Sequence, residues 1–238
     1  MRNYNADMQI VKLNNEIRKV INKPNTEMVL VSLKSWLNEY SKTEAWQLYE
    51  SIASGNISKS LLEEISKRSY LHGNGFAKIV LVDNPHFKCR LHVWRNSNTG
   101  VETLHNHRWS FASAIQAGAI TADIFNDSVK PEAEYFKEYV YQREGASTST
   151  SMLIGDSRLE RIITEVKVAG DTYHMDCNTI HRITGVESPI TATLFVQLSA
   201  NRSWNRLITK RHENAPSMNR LVVDEKTLQL ILKALLVN

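Results

Sequence analysis

A chain of 238 residues, 42% hydrophobic and 23% charged, is long and apolar enough to bury a sizeable core, and disorder is not expected to dominate it. The net charge of +4 comes from scattered Lys and Arg, without the aromatic and basic motif of an RNA-binding sheet, which argues against a nucleic-acid partner. Two cysteines, Cys89 and Cys177, are too few for a disulfide scaffold. With no signal-peptide pattern and no apolar run near the ~20 residues that cross a bilayer, the expectation is a cytoplasmic protein with no membrane partner.

From about residue 7 to 70 apolar residues recur at helical spacing in "MQIVKLNNEIRKVI", "MVLVSLKSWLNEY", "AWQLYESIA" and "SKSLLEEISKRSY". "INKPN" and "ASGN" read as breaks, and Ser58 ahead of "LLEEI" as a helix start. After "HGNG" the pattern turns to short β-branched and aromatic runs: "AKIVLV", "KCRLHVW", "AITADIF", "YVYQ", "RIITEVKV", "DTYHM" and "TATLFVQL". Turn residues separate them, and no long helix intervenes, so an antiparallel barrel or sandwich is predicted. The small, polar "REGASTSTSMLIGDS", residues 143–157, is expected to be a mobile loop, and "DEKTLQLILKALL" a closing amphipathic helix. This gives a helical region over residues 1–75 packed on a β-barrel of residues 76–210, with a helical segment over 211–238, all in one compact domain.

Within "VETLHNHRWSF", His105 and His107 are two apart, so on a strand both imidazoles point to one face and can meet one metal ion. Such a pair alone is weak. A third imidazole comes from "GDTYHMDCNTIHRI", where Gly170 opens a turn into a strand and Asp176 and Asn178 suggest a second turn before His181. His174 lies in the same stretch and could point inward. His72, His86, His92 and His212 have no ligand partner in sequence and are read as packed or solvated.

These residues resemble the two motifs of the cupin superfamily. Gly100, His105, His107 and Gly118 fit the first, and Gly170 and His181 the second, with Asp176 and Asn178 where a Pro and a Gly usually stand. The resemblance implies a mainly β fold, a double-stranded β-helix or jelly-roll barrel. Phe111 falls where most cupins carry a glutamate ligand, so a three-histidine site of His105, His107 and His181 is implied. Three neutral imidazoles suit Fe(II), Zn, Ni or Cu and leave positions open for substrate and O2 or water.

Over roughly residues 30–200 the chain also resembles the cysteine dioxygenases, a three-histidine branch of that superfamily. "KRSYLHGNG", the HxH, Gln116 with Gly118, and His181 with Arg182 follow in the family's order. The resemblance implies that Arg68 holds a substrate carboxylate; the plainer reading is that Arg68 caps a helix or pairs with Glu63 or Glu64. The family's cysteine, which would fall at Phe111 or Ala112, and its tyrosine, near Leu198, are both absent. Thr193, Phe195 and Gln197 occupy the strand of its Ser-His-Tyr chain.

The reading is a mononuclear non-haem Fe(II) oxygenase acting with O2 on a small, amino-acid-like or thiol substrate, probed best by its poor turnover of free cysteine. Arg68, Phe111, Trp109 and His174 are the candidate substrate contacts, the substrate is expected to be anionic, and no residue is singled out as catalytic. Trp109, Phe111, Ile115 and Phe195 are expected to line the pocket and exclude water. The alternatives are a metal-dependent isomerase or lyase that does not use O2, and a non-catalytic small-ligand-binding cupin.

Overall fold

The computed structural model describes residues 5–23, 25–95, 102–143, 149–186, 188–210 and 220–237. Four helices open the chain, α1 (Ala6–Ile21), α2 (Thr26–Tyr40), α3 (Glu44–Ala53) and α4 (Lys59–Arg68), and α5 (Glu225–Leu236) closes it. Between them run β1 (Tyr70–His72), β2 (Phe76–Asp83), β3 (Phe87–Arg95), β4 (Leu104–His105), β5 (Phe111–Ala117), β6 (Ala119–Asp127) and β7 (Glu134–Arg143). The rest are β8 (Ser149–Val168), β9 (Thr172–Met175), β10 (Ile180–Val186), β11 (Ile190–Leu198), β12 (Trp204–Lys210) and β13 (Arg220–Val222). The fold is mainly β, with the amino-terminal helices and closing helix that the periodicities predict. Among the described residues no helix is long and apolar enough to cross a membrane.

The helix starts are set by side chains that accept otherwise orphaned backbone N–H groups. The Asn25 carboxamide accepts from Met28 N at 2.9 Å, the Ser58 hydroxyl from Leu61 N at 3.4 Å, and the Asp224 carboxylate from Thr227 N at 2.6 Å. The apolar stripes, Leu13 and Ile17 on α1, Leu33 and Leu37 on α2, and Leu228, Leu232 and Leu235 on α5, are buried in one cluster with Ile79, Leu91, Leu194 and Val196. Full burial of each such side chain stabilises the fold by ~1.5–3 kcal/mol. The helices therefore cover one face of a sheet, and Ala112, Ala114 and Ala192 in the same cluster let them approach closely.

That sheet has the order β13-β1-β2-β3-β11-β5-β9, and its strand pairs are antiparallel. The second sheet closes on itself in the order β10-β4-β12-β7-β8-β6. Each of its strands contributes one side chain to a cluster of Leu104, Phe125, Phe136, Leu159, Ile180 and Ile208. The next residues along four of these strands, His105, Ile124, His181 and Leu207, must then face the other way, toward the first sheet. The two sheets meet through Phe76, Trp94 and Val186, and through Phe111, Met175 and Phe195 with Ile124. Both faces of β11 are covered, which is why "TATLFVQL" reads as a near-continuous apolar run.

Gly118 makes the β5–β6 turn at φ +69°, and an added Cβ would stand 2.8 Å from the backbone oxygen of Ile190, so only glycine fits. The expected loop over 143–157 is corrected for its described part. Residues 149–157 begin the 20-residue β8, paired with β7 from Arg143↔Ser149 to Glu134↔Leu159. Residues 144–148 lie outside the described residues. The small hydroxyl residues suggested a loop, but threonine suits a pleated strand, and the chain accommodates Gly155, at φ +145°, beside a register shift at Glu138/Tyr139.

Candidate metal centre

His105, on the two-residue β4, stands opposite His181 of β10 on one side and Leu207 of β12 on the other. So short a strand needs outside support, and Asn106 gives it. Its carboxamide oxygen accepts from Arg206 N at 2.7 Å, and its own N–H donates to Arg206 O at 3.2 Å. Arg206 is itself fixed by a two-bond fork to Asp127, both 2.7 Å, and by Glu138 at 2.6 and 2.8 Å. The residue between the two histidines thus anchors the segment that carries them, while its neighbours line the cavity.

A second clamp joins the two motifs. Arg202 Nη2 donates to His107 O and to Cys177 O, both at 2.8 Å, and Nη1 to Asn178 Oδ1 at 3.0 Å. The buried Ser110 hydroxyl accepts from Cys177 N at 3.1 Å. The turn ahead of His181 is held against the segment that carries His107.

The three imidazoles converge. His105 and His181 have ring centroids 4.8 Å apart, and His107 lies 4.9 Å from each. Their candidate ligand atoms all fall within 4.8 Å of one another, and among the described residues no carboxylate joins the group. His105 Nδ1 lies 2.8 Å from Thr103 O, and His181 Nδ1 3.2 Å from Thr179 O. A carbonyl oxygen only accepts, so the proton sits on Nδ1 in both rings and leaves the Nε2 lone pair for a metal. Burial, followed by the neighbouring His105 and His181, pushes His107 well below the usual imidazole range. Burial, followed by His105, brings His181 down to about 3. The His107 and His181 rings are held neutral, as ligation requires, and the donor set fits a borderline divalent ion.

A cavity of about 730 Å3 opens beside this group, lined from both sheets. Trp109 stacks on His107 at 5.3 Å, Phe111 meets it edge-on at 5.3 Å, and Phe195 stacks on Phe111 at 4.3 Å. These three line the cavity as expected; Ile115 is buried but is not part of the wall. Phe111 presents an apolar ring to the histidine group. Lys88 in the wall is paired with Asp83 at 2.7 Å. Lys78 sits over the rings of Tyr70 and Phe76 at 5.5 and 5.4 Å, and the Arg90 guanidinium over Trp109 at 5.6 Å. With Arg108 also present and Glu102 the remaining acid, the cavity carries a positive excess.

Two predicted contacts are elsewhere. Arg68 donates to Val80 O at 2.7 Å and Leu81 O at 2.5 Å and pairs with Glu64 at 2.5 Å, outside the cavity wall. A register shift in β2 between Val80 and Val82 takes this stretch out of regular pairing, and the guanidinium supplies donors there. His174 pairs with Ala112, whose side chain belongs to the helix-covered face, while Tyr173 and Met175 beside it line the cavity. The inward phase belongs to its neighbours. Conversely, Lys78, Arg90, His72, His92 and Gln197 do line the cavity. Alternation along "FKCRLHVW" groups Arg90 with His92 and Trp94, but only the pairing with β11 shows which phase faces inward. His212 and Gly100 lie outside the described residues.

No protein-family model matches the chain, and no curated protein matches it. Solved structures do match. Hydroquinone 1,2-dioxygenase from Sphingomonas sp. TTNP3, with 4-hydroxybenzoate bound, is similar at 11% identity and a TM-score of 0.33, over 52% of this chain and 65% of that one. A variant oxalate decarboxylase of Bacillus subtilis gives 12% and 0.35, over 58% of this chain and 29% of that one. A Streptomyces PAC13 variant with uridine gives 13% and 0.32, over 64% and 95%. The chain spans less than two thirds of the dioxygenase and under a third of the decarboxylase. These are likenesses over part of the chain, and the chemistry of the site follows from its own residues.

Proposed function

We propose that the chain is a metalloenzyme of cupin type in which His105, His107 and His181 hold one Fe(II) ion and O2 oxidises an organic anion bound in the adjoining cavity. The observation that carries this reading is the convergence of three imidazoles on a cavity with a cationic wall. When bound, Fe(II) supplies the one-electron chemistry that makes O2 reactive toward a spin-paired organic molecule. Lys78 and Arg90 bind the anionic group, the guanidinium keeping its charge in a half-dry site and presenting a fork to a carboxylate. Trp109, Phe111 and Phe195 exclude water around the reacting group. The carbonyls of Thr103 and Thr179 hold the protons of His105 and His181 on Nδ1 and fix both rings. Arg202 and Asn106 keep the two histidine segments in register.

The test is O2 uptake by full-length chain loaded anaerobically with Fe(II) and then offered cysteine, other small thiols and a panel of larger organic acids. Iron-dependent uptake is expected with an acid from the panel and little with free cysteine, because no phenol or thiol stands beside the histidines at Phe111, Ala112 or Leu198. Conversion of an acid without O2 uptake would favour the isomerase or lyase class.

A further inference from the structure

A cavity of about 730 Å3 is in the range that encloses a drug-sized ligand, and a free amino acid the size of cysteine fills a small part of it. Its wall separates three chemistries. Lys78 and Arg90 lie on the β2 and β3 side. Rings of Phe76, Trp94, Trp109, Phe111 and Phe195 supply the apolar part of the wall. At the β11 side stands Gln197, 6% exposed, on the cavity face with Thr193 and Phe195, whereas Leu194 and Val196 face the helices.

The Gln197 carboxamide oxygen is enclosed and has no hydrogen-bond partner among the described residues. Leaving such an acceptor unpaired costs ~1–3 kcal/mol, so a native interior that keeps one points to a ligand donor that completes it. Trp109 Nε1 and His92 Nε2, also in the wall, are unpaired in the same way. Gln197 stands directly opposite Phe111 across the β5–β11 pair, and the Phe111 ring touches His107. The orphan acceptor is therefore beside the metal ligands. Lys78 pairs with His92, which pairs with Thr193, so it lies two strands across and four residues along from Gln197, roughly 16 Å between backbones, while Arg90, one strand across and two residues along, is roughly 8 Å away.

We infer that the site takes an elongated organic anion with a ring-bearing apolar body, its anionic group at Lys78 and Arg90 and a hydroxyl or amine donor received by the Gln197 carboxamide oxygen. This deepens, and rests on, the proposal that the three-histidine cavity is the reaction site. The span to Gln197 of roughly 8 Å from Arg90 and roughly 16 Å from Lys78, bridged in part by the long Arg and Lys side chains, sets the body at about one ring with a short linker. The amide torsion of Gln197 is broad enough for the oxygen to turn toward an incoming donor.

The test is calorimetric binding to the full-length chain loaded with Zn(II), which has no redox chemistry of its own. The probes are 3-(4-hydroxyphenyl)propanoate, its analogue without the hydroxyl, 3-phenylpropanoate, its analogue without the carboxylate, 4-ethylphenol, and cysteine. The hydroxylated acid should bind about five- to tenfold more tightly than each of the others. Gln197→Met should reduce its affinity to that of 3-phenylpropanoate and leave 3-phenylpropanoate itself unchanged, and Gln197→Leu should do the same. Equal binding of cysteine, no preference for the hydroxyl, or a preference that persists in both variants overturns the inference. Zinc content of the same samples reports on the metal site separately: the ligand preference without bound zinc would contradict the metal reading and uphold this one.

Discussion

Arg202 and His107 are joined by a 2.8 Å bond from the guanidinium Nη2 to the His107 carbonyl oxygen, and the same nitrogen donates to Cys177 O at 2.8 Å. One side chain thus ties the HxH segment to the turn that delivers His181. Arg202→Ala should lower metal affinity about 10- to 100-fold, the usual cost of removing a group that orients ligands. Arg202→Lys, a single ammonium in place of a fork, should restore part of it. Competition of the folded protein with a zinc-binding dye measures this; unchanged affinity in Arg202→Ala refutes the clamp.

Arg68 is predicted to be structural. Its removal leaves the Val80 and Leu81 carbonyls without their guanidinium donors, so Arg68→Ala should lose ~1–3 kcal/mol of stability. Metal content and the affinity for organic acids should stay at the wild-type level. Wild-type urea stability together with weakened binding of the acid would return Arg68 to the substrate site.

Stability of the metal-free chain should fall as the solution is acidified. His92, His107 and His181 are all held below the usual value of 6.5, each chiefly by burial, and His181 lies at about 3. The folded state therefore resists protonation while the unfolded chain accepts protons as pH drops through 6.5. Their cost is absent above that value and grows between it and about 3. A paired carboxylate such as Asp127, lowered by its bond from Arg206, loses its contribution only below its own ordinary 3.8. The urea midpoint at pH 5.0 should accordingly be lower than at pH 7.5, and equal midpoints would contradict the neutral-histidine assignment.

The β architecture and the three histidines were legible because they depend on short-range rules. Period-two spacing puts His105 and His107 on one face, and turn residues ahead of His181 mark the start of its strand. Arg68 was not legible, because where the side chain of the last helical residue points depends on a bulge in β2 that leaves no mark in "AKIVLV". His174 failed by one residue of phase, which in the four-residue β9 only the pairing with β5 decides. The cationic wall was missed for the same reason: Lys78 and Arg90 sit in runs whose two faces are both buried, so charge alone did not reveal which face held a cavity.

The most direct test of the three-histidine centre is metal analysis of full-length protein purified without an affinity tag, beside His105→Ala, His107→Ala and His181→Ala. Wild-type chain should carry close to one first-row transition metal ion, and each variant should lose most of it while retaining its far-UV circular dichroism. Full occupancy in any two of the three folded variants would contradict the assignment.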